Sequence, residues 1–506
     1  MSFHVYPVIK TEPFCDDYEV KINGECVDLN TARVSRLPFN RRWPGHQRDI
    51  SQSEPVQFLS METDEEITVE ITLKEPFDAE KLRIRPRSLG ITPTVIDGKI
   101  TFNLKKAAYL TVEPYGRNRA LHLFIDEPKD YSAYKNAEGV IYFGKGEHEV
   151  GTIELHSGQT LFIDEGAVVY GCVKARDAEN IKIVGRGILD NSKNKEVILF
   201  EANEKNNFAA VKNAKRQHTI QPEYCENLLI DGITIRDSLV YNVRPLGCKN
   251  LEIRDVKIIG CWRYNSDGID MHNCENVHIS HCFIRTFDDC VCVKGFDLFT
   301  SDNIDEAIKK AVIHNGKRYD TFKNVLVENC VLWNDWNKAL EIGAETKAEE
   351  ITDIRFERCD VIHATKTALD CYNVDFADVH DILYKDIVIE ADEEVPAPLL
   401  QTSDEHEYAN LDPDYTPTAI EVGVEFHAEY SKGSTRRGKN RNITFENIHW
   451  YSDKKPTVSV FGHDEEHKSE NVSVINLYHN DRLVRSEEDC ILNLGDFSEN
   501  VTVTTK

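Results

Sequence analysis

The sequence has no apolar run of about 18 residues or more, the length that a membrane-spanning helix needs. Its first residues, MSFHVYPVIKTEPF, also lack the apolar core and small-residue cleavage site of a secretory signal peptide. We therefore predict that the protein has no membrane partner. We expect a cytoplasmic location, or a secreted one if the sequence lacks its leader.

Basic residues are in the minority, with 60 Lys and Arg against 87 Asp and Glu and a formal net charge of −27 at pH 7. Such a surface repels the phosphates of nucleic acids, so we predict no nucleic-acid partner. The same field opposes a polyanionic substrate unless a local basic patch corrects it.

Paired cysteine motifs are missing although the chain has 14 cysteines. No Cys-x-x-Cys pair occurs at zinc-finger spacing, and several cysteines lie in apolar, strand-like segments such as Cys290 to Val293. We predict buried, reduced thiols that act as small apolar side chains. We expect neither a metal nor a cofactor.

The sequence does contain a repeated phrase, in which a polar residue and Asn precede alternating apolar residues. The copies recur at intervals of roughly 25 residues, sometimes with one interval skipped, as in stacked solenoid units. Alternation with a period of two indicates strands, and the segments that leucine-rich repeats need are missing. The pattern predicts an all-β parallel β-helix, with Asn at a corner where its side chain bonds backbone groups of the adjacent coil. The clearest copies begin at Glu179, Glu226, Lys249, Glu275, Lys323, Arg441, Glu470 and Glu499.

Two parts of the chain differ in pattern. Residues 1–125 alternate apolar and polar residues between polar turns, as in EEITVEITL, which predicts a small antiparallel β-sandwich domain. Residues 126–506 are predicted to form the β-helix, with its coils starting near Val140 and two long excursions at about 296–320 and 391–418. A basic, aromatic stretch with Arg41, Arg42 and Trp43 is either a surface loop or a loop that reaches the substrate.

Two consecutive coils carry closely spaced aspartates, in NSDGID and in FDDCVCVKG. Asp267 and Asp288 are separated by about one coil, so we expect them to stack on one face together with Asp289. Like charges this close raise the pKa of at least one carboxyl, as glycoside hydrolysis by an acid and a carboxylate requires. A solvated turn and a calcium site are the alternatives.

These paired motifs resemble those of glycoside hydrolase family 28, the polygalacturonase family, over about residues 140–390. The resemblance implies a right-handed parallel β-helix and an enzyme that inverts the anomeric carbon. It further implies that Asp288 is the general acid, that Asp267 and Asp289 position and deprotonate the attacking water, and that Asn265 helps to hold the site. Inversion leads us to expect carboxyl groups about 6.5–9.5 Å apart.

The next coils depart from the family pattern. Asn337 stands where the family has a His, and Asp370 and Tyr372 stand near its Arg and Lys positions. An Asp in place of an Arg repels a uronate carboxylate, whereas Asp370 and Tyr372 suit sugar hydroxyls, so we predict a neutral or weakly charged sugar. Trp336 or Trp333 is a candidate for stacking on a pyranose face. Further candidates for substrate binding are Asn337, Lys294, Lys338 and Arg244, and Lys294 is alternatively a counter-charge to the aspartates.

The domain layout is similar to that of glycoside hydrolase family 49, which places a β-sandwich before its β-helix and cleaves neutral α-glucans. We therefore predict an inverting glycoside hydrolase with a carbohydrate substrate and exo action on short oligosaccharides. A polygalacturonase-type pectin hydrolase is the nearest alternative. A β-helical polysaccharide lyase and a non-catalytic glycan-binding protein are alternatives of other classes, and the sequence leaves the oligomeric state open.

Overall fold

The computed structural model describes residues 3–36, 50–194, 217–263, 265–296, 304–391, 415–427, 430–431, 434–486 and 488–505. The stretch with Arg41, Arg42 and Trp43 lies outside these residues, as does most of the excursion at 391–418. The excursion at 296–320 contains a short helix and a two-stranded hairpin in its described part.

The N-terminal part consists of two mostly antiparallel sheets whose apolar faces enclose one core. Alternating burial along its strands, as in Ile67–Leu73, confirms the period of two that the sequence shows. One sheet has the order β1-β5-β11-β10-β7 with β4 paired to β5, and the other has the order β3-β2-β6-β9-β8. The strands are β1 (Phe3–Val5), β2 (Tyr18–Ile22), β3 (Glu25–Val27), β4 (Asn30–Ser35), β5 (Ser53–Thr63), β6 (Ile67–Leu73), β7 (Arg83–Arg85), β8 (Thr94–Ile96), β9 (Lys99–Leu104), β10 (Ala108–Arg117) and β11 (Leu121–Asp126).

The rest of the chain winds into a right-handed parallel β-helix, as predicted. Its first strands are β12 (Val140–Phe143), β13 (Gly146–Leu155), β14 (Thr160–Ile163), β15 (Ala167–Arg176), β16 (Glu179–Gly185), β17 (Ile188–Asp190), β18 (Ile220–Glu223), β19 (Glu226–Asp231), β20 (Thr234–Arg236), β21 (Lys249–Arg254), β22 (Lys257–Ile259), β23 (Ile269–His272), β24 (Glu275–Ser280), β25 (Phe283–Thr286) and β26 (Val291–Lys294). The later strands are β27 (Ile313–His314), β28 (Lys317–Arg318), β29 (Thr321–Glu328), β30 (Val331–Asn334), β31 (Lys338–Ala344), β32 (Glu350–Glu357), β33 (Asp360–His363), β34 (Thr367–Asn373), β35 (Asp378–Glu390), β36 (Thr418–Val424), β37 (Lys439–Tyr451), β38 (Thr457–Phe461), β39 (Ser469–His479), β40 (Arg482–Leu483), β41 (Ile491–Leu494), β42 (Ser498–Glu499) and β43 (Thr502–Thr504).

Stacked apolar side chains fill the inside of the coils. In one row the inward residues pair in parallel register from coil to coil: Ile181, Leu228, Leu251, Val277, Val325, Ile354, Ile382, Ile443 and Val472. All of them are buried, and each contributes about 1.5–3 kcal/mol relative to an exposed side chain. The cysteines follow the same rule, since all but Cys15 and Cys26 are buried free thiols.

The repeated Asn forms a ladder at one corner of the coils. The side-chain amide of Asn250 donates to Asn227 Oδ1 at 3.0 Å, and that of Asn276 donates to Asn250 Oδ1 at 2.9 Å. Both corner residues adopt the left-handed conformation, with φ of 55° and 57°. The acceptor of each of these Asn amides is thus the Asn side chain of the preceding coil, whereas we expected backbone groups of the adjacent coil. Asn tolerates this backbone region better than most residues, which explains its recurrence.

The N-terminal sheets pack against the side of the β-helix through buried aromatic rings. Phe124 of β11 lies 4.9 Å from Phe283 of β25, measured between ring centroids, and His122 lies 5.7 Å from Trp333 of β30. Buried charged groups cross the same interface, among them Arg85 and Arg117 from the sheets. The two parts therefore share a packed boundary.

The described helices are short and few. The α-helices are α1 (Ser132–Lys135) and α2 (Ile304–Ala311), and 3-10 turns cover Ile50–Gln52 and Arg87–Leu89. Within the described residues, no helix has the length and apolar character to span a bilayer.

Candidate active site

One seven-stranded face of the β-helix positions the candidate residues. Its parallel strands follow the order β23-β26-β31-β34-β36-β38-β41. The turns that precede the first three strands carry Asp267, the pair Asp288 and Asp289, and Asn337. Because parallel strands stack in register, these turns meet at the same edge of the face.

The three aspartates converge as the sequence predicts. One carboxylate oxygen from each of Asp267, Asp288 and Asp289 lies within 4.8 Å of the others. All three side chains are buried, with residue exposures of 2%, 5% and 5%. Two backbone bonds fix their spacing: Gly268 N donates to Asp289 O at 2.8 Å, and Asn242 N donates to Asp267 O at 2.9 Å. Three acidic groups thus share one small, poorly hydrated space.

The turn after β30 holds the aspartate pair from one coil away. Asn337 Nδ2 donates to Asp288 Oδ1 at 3.1 Å, and the backbone N–H of Lys338 donates to Asp289 Oδ1 at 3.0 Å. Asn334 Nδ2 donates to the carbonyl of Asp288, as does Thr286 Oγ1 at 2.6 Å. Predicted residue Asn337 therefore contacts the predicted general acid.

Burial and mutual repulsion dominate the electrostatics of the aspartates. Burial, followed by Asp270 and Asp288, raises the pKa of Asp267 well above its usual value. Burial, followed by Glu341 and Asp288, does the same to the pKa of Asp289. Asp267 and Asp289 are therefore harder to ionise than isolated aspartates.

Lys294 is a counter-charge inside this group. Its Nζ lies 2.8 Å from Asp270 Oδ2, 3.6 Å from Asp267 Oδ2 and 3.6 Å from Glu345 Oε2. Burial alone would lower the pKa of Lys294, but Asp270 and Glu345 raise it well above its usual value. The lysine stays charged and forms ion pairs with protein carboxylates. It is therefore placed as a counter-charge to the aspartates, the alternative to its predicted role in substrate binding.

A second buried lysine, Lys338, has a similar environment. Its Nζ donates to Glu341 Oε1 at 2.6 Å and contacts the carboxylate of Asp370. Burial works against ionisation of Glu341, yet Lys338 and Lys294 lower its pKa to about 2. We expected Asp370 to contact a sugar hydroxyl; the structure buries it completely, and burial raises its pKa to about 7. In this arrangement Asp370 acts on the site through Lys338.

The other predicted substrate contacts differ in their placement. Trp336 is 9% exposed and lies parallel to Phe287 at 6.2 Å, next to the aspartate pair. Trp333 is fully buried against Arg285 and His363, so it is a core residue rather than a sugar platform.

Three further predicted residues lie around this centre. Tyr372 projects from β34 one strand beyond β31, and its hydroxyl donates to the carboxylate of Glu425. Asn265 lies in the turn before β23 with a φ of 51°. Arg244 pairs with Glu223 at 3.5 Å, and the parallel pairing of Val243 with Ile269 sets it in register with Asp270.

Sequence reasoning missed Asp270, Glu341 and Glu345. Strand parity was the available signal, because Asp270, Cys292, Glu341 and Asp370 pair in register and form one outward row. Two groups of side chains have ligand atoms close enough together to hold a metal. One is Asp267, Asp288 and Asp289, and the other is Asp289, Cys292 and Glu341. Lys294 and Lys338 already supply positive charge at both positions.

The nearest oxygens of the three carboxylates lie within 4.8 Å of one another. The 6.5–9.5 Å expected for inversion is a separation between whole carboxyl groups, which is a different quantity from this distance between oxygen atoms. Two oxygens at this distance can both bond one water, because each such bond measures about 2.8 Å. Asp267 and Asp289 are therefore placed to hold a water between them.

Comparison with known proteins agrees with this geometry. The family model for glycosyl hydrolases family 28 matches residues 151–390. Because that model matches them, we call these residues, just under half of the chain, the family 28 region. It contains the three aspartates and nearly coincides with the stretch over which we noted the resemblance.

The relatives match the family 28 region in part. A polygalacturonase from Gossypium barbadense is 32% identical over 146 residues, which cover 28% of this chain and 33% of that protein. A probable polygalacturonase from Vitis vinifera is 36% identical over 84 residues, covering 16% of this chain and 17% of its own. The chain thus spans a third or less of these relatives.

A solved structure matches both parts of the fold. Dex49A from Penicillium minioluteum aligns with a TM-score of 0.58 at 12% identity, covering 97% of this chain and 93% of that one. The likeness extends from the N-terminal sheets through the β-helix, as the predicted two-part layout requires.

Proposed function

We propose that the protein is an inverting glycoside hydrolase that acts on a neutral or weakly charged oligo- or polysaccharide. The observation that carries this proposal is the burial of Asp267, Asp288 and Asp289 within 4.8 Å of one another in a family 28 region.

In the proposed reaction Asp288 is the acid. It gives its proton to the glycosidic oxygen as the bond from that oxygen to the anomeric carbon breaks. Asn337 donates to Oδ1 of this carboxyl and orients it. Like charges this close resist ionising together, so the three carboxyls share a proton that Asp288 can donate.

The attacking water lies between Asp267 and Asp289. It forms the new bond to the anomeric carbon from the face opposite the leaving oxygen, and its proton passes to one of these carboxylates. Burial and the neighbouring carboxylates raise the pKa of Asp267, and Lys294, 3.6 Å away, opposes this rise and so favours the ionised form that accepts the proton. The bound water accounts for inversion even though the carboxylates are close together.

The charges support a substrate without uronate groups at the cleavage point. Lys294 and Lys338 are the lysines at the three aspartates among the described residues, and each is paired with at least two carboxylates. A uronate would have to displace one of these partners and would meet the surrounding carboxylates.

We further propose exo action. The segment after β36 borders the site: Tyr372 donates to Glu425, and the backbone carbonyl of Tyr430 accepts from buried Lys347 at 3.0 Å. Burial, followed by the charges of Glu345 and Asp288, raises the pKa of Tyr430. The hydroxyl of Tyr430 therefore lies near the acid. A wall this near the acid favours a short binding cleft.

The test is a panel of defined α- and β-linked oligosaccharides that includes oligogalacturonides, with the product anomers followed by NMR. We expect a neutral member to be cleaved from one end with inverted configuration. A retained configuration would contradict the water-mediated step. Preference for oligogalacturonides would favour the polygalacturonase activity that the relatives' names describe.

A variant pair tests the acid. Asp288→Asn should lose at least about 1,000-fold in kcat while glycan binding and unfolding temperature stay near wild type. Asp353→Asn is the control, because Asp353 occupies a coil corner with a φ of 55° where other coils carry Asn. Near-normal turnover by Asp288→Asn would refute the assignment. Ultraviolet-absorbing unsaturated products would indicate a lyase, and binding without turnover would indicate a binding protein.

A further inference from the structure

The turn formed by residues 334–338, here called the acid-holding turn, determines where the aspartate pair lies. Its Asn337 side chain and Lys338 backbone bond the two carboxylates directly. The side-chain amide of Asn334 donates to two backbone carbonyls, that of Asp288 and, at 3.2 Å, that of Lys338 at the end of the turn. Whatever fixes this turn also fixes the acid.

Arg117, the last residue of β10 in the N-terminal sheets, reaches this turn. It is 2% exposed, and its Nη2 donates to the carbonyl of Asn334 at 3.4 Å. Its Nη1 donates to Thr365 Oγ1 at 3.1 Å, and that hydroxyl donates to the same Asn334 carbonyl at 3.0 Å. One guanidinium thus acts on the first residue of the turn directly and through Thr365.

The second residue of the acid-holding turn is bound in a similar way. Asp335 lies between two guanidinium groups, with Arg117 Nη1 at 3.7 Å and Arg285 Nε at 3.6 Å. Its Oδ1 also accepts from Trp333 Nε1 at 2.7 Å. Since Asp335 is buried, the two arginines supply its charge compensation.

The Nε atom of Arg117 is fixed through His363 of the β-helix, which in turn contacts Glu113 of the strand that carries Arg117. Its Nε donates to His363 Nδ1 at 3.2 Å, and His363 Nε2 lies 3.0 Å from Glu113, which shares β10 with Arg117. Arg85 pairs with the same glutamate at 3.2 Å. The arginine is therefore held in one orientation between the sheet and the turn.

We propose that Arg117 is a positioning residue for catalysis: from the N-terminal sheets it holds the acid-holding turn in the conformation that aims Asp288 and Asp289. This inference rests on the function proposed above, and it gives the N-terminal sheets a part in the reaction. The planar guanidinium donates to four acceptors in fixed directions, those of His363, Thr365, Asn334 and Ala364, whereas a lysine would satisfy fewer of them.

The test compares kcat, KM and the pH profile of kcat for wild type, Arg117→Met and Arg117→Lys. A displacement of about 1 Å at a reacting group costs on the order of 100-fold in rate, so we expect kcat of Arg117→Met to fall about 30- to 100-fold. We expect KM to change less than about threefold, and the pH profile to shift because the Asn337 bond to Asp288 is loosened. Arg117→Lys should recover part of kcat.

Arg236→Met is the matched control. Arg236 is buried at the same boundary, but it pairs with Asp190 at 2.5 Å and donates to the Thr31 carbonyl of the N-terminal sheets at 2.9 Å. We expect it to lower the unfolding temperature as much as Arg117→Met does while leaving the pH profile of kcat unchanged. If Arg117→Met does not fold, Thr365→Val removes the hydroxyl that links Arg117 to Asn334 and should reduce kcat in the same direction.

The outcomes separate this inference from the proposed function. If Asp288→Asn is inactive and Arg117→Met resembles Arg236→Met in kcat and pH profile, Arg117 has only a structural role and the inference is wrong. If Asp288→Asn keeps its activity, or wild type cleaves no sugar of the panel, the proposed function fails and the inference fails with it.

Discussion

Replacing Lys294 by Met should produce a stability defect that grows with pH. The lysine is 3% exposed and lies within 3.6 Å of three carboxylates, those of Asp267, Asp270 and Glu345. Met has a similar length and fills the space of the stem, so the main change is the loss of one buried positive charge. Removing one partner of a buried ion pair costs about 3–5 kcal/mol.

The pH dependence follows from the protons that the carboxylates bind. Without Lys294 the folded state holds one more proton among these carboxyl groups, and the unfolded chain releases that proton above about pH 4. Stability then falls as pH rises, by about 1.4 kcal/mol per pH unit for each extra proton held. The loss relative to wild type should therefore be small near pH 5 and reach the full 3–5 kcal/mol near pH 7.5.

Urea unfolding at about pH 5 and pH 7.5, followed by tryptophan fluorescence, measures this difference. Lys135→Met is the control, because Lys135 is half-exposed and water screens its ion pair with Asp164 at 2.6 Å. We expect a shallower pH dependence for the control. An equal loss at both pH values for Lys294→Met, or the same slope in both variants, would refute this reasoning.

Three further predictions concern the coil corners, the rim of the site and the boundary between the two parts. Asn276→Ala removes a hydrogen bond to each neighbouring Asn of the ladder and strains a φ of 57°, so it should cost about 2–3 kcal/mol in urea unfolding. Asn276→Gly removes the same bonds without strain and should cost about 1 kcal/mol less. Equal losses in the two variants would contradict the backbone contribution. Trp336→Ala should raise KM about tenfold with an unchanged unfolding temperature if this ring contacts the sugar, while an unchanged KM would assign it to packing on Phe287. Burial raises the pKa of Asp360 to about 7, so its folded form loses stability as pH rises from about 4 to 7, and Asp360→Asn should be about 2 kcal/mol more stable than wild type at pH 8 and equal to it at pH 4, as thermal unfolding would show.

Much of the fold could be predicted from local patterns. The period-two alternation and the recurring Asn at coil corners are properties of short segments, so the β-helix followed from them directly. The convergence of Asp267 with Asp288 and Asp289 followed as well, since a spacing of one coil in a solenoid becomes adjacency in space. The acceptor of the corner Asn amide could not be predicted, because a backbone oxygen and a side-chain oxygen of the adjacent coil lie at the same separation in sequence from it.

The charges around the aspartates were decided by the tertiary structure. Lys294 and Lys338 are as compatible in sequence with substrate binding as with ion pairs, and only the parity of stacked strands shows that Asp270, Glu341 and Asp370 lie next to them. Arg117 is more remote, with 217 positions between it and Asn334 in the chain. Local spacing determines which residues stack within one solenoid, whereas a contact between two separately folded parts depends on how their surfaces pack, and no repeat in the sequence encodes that packing.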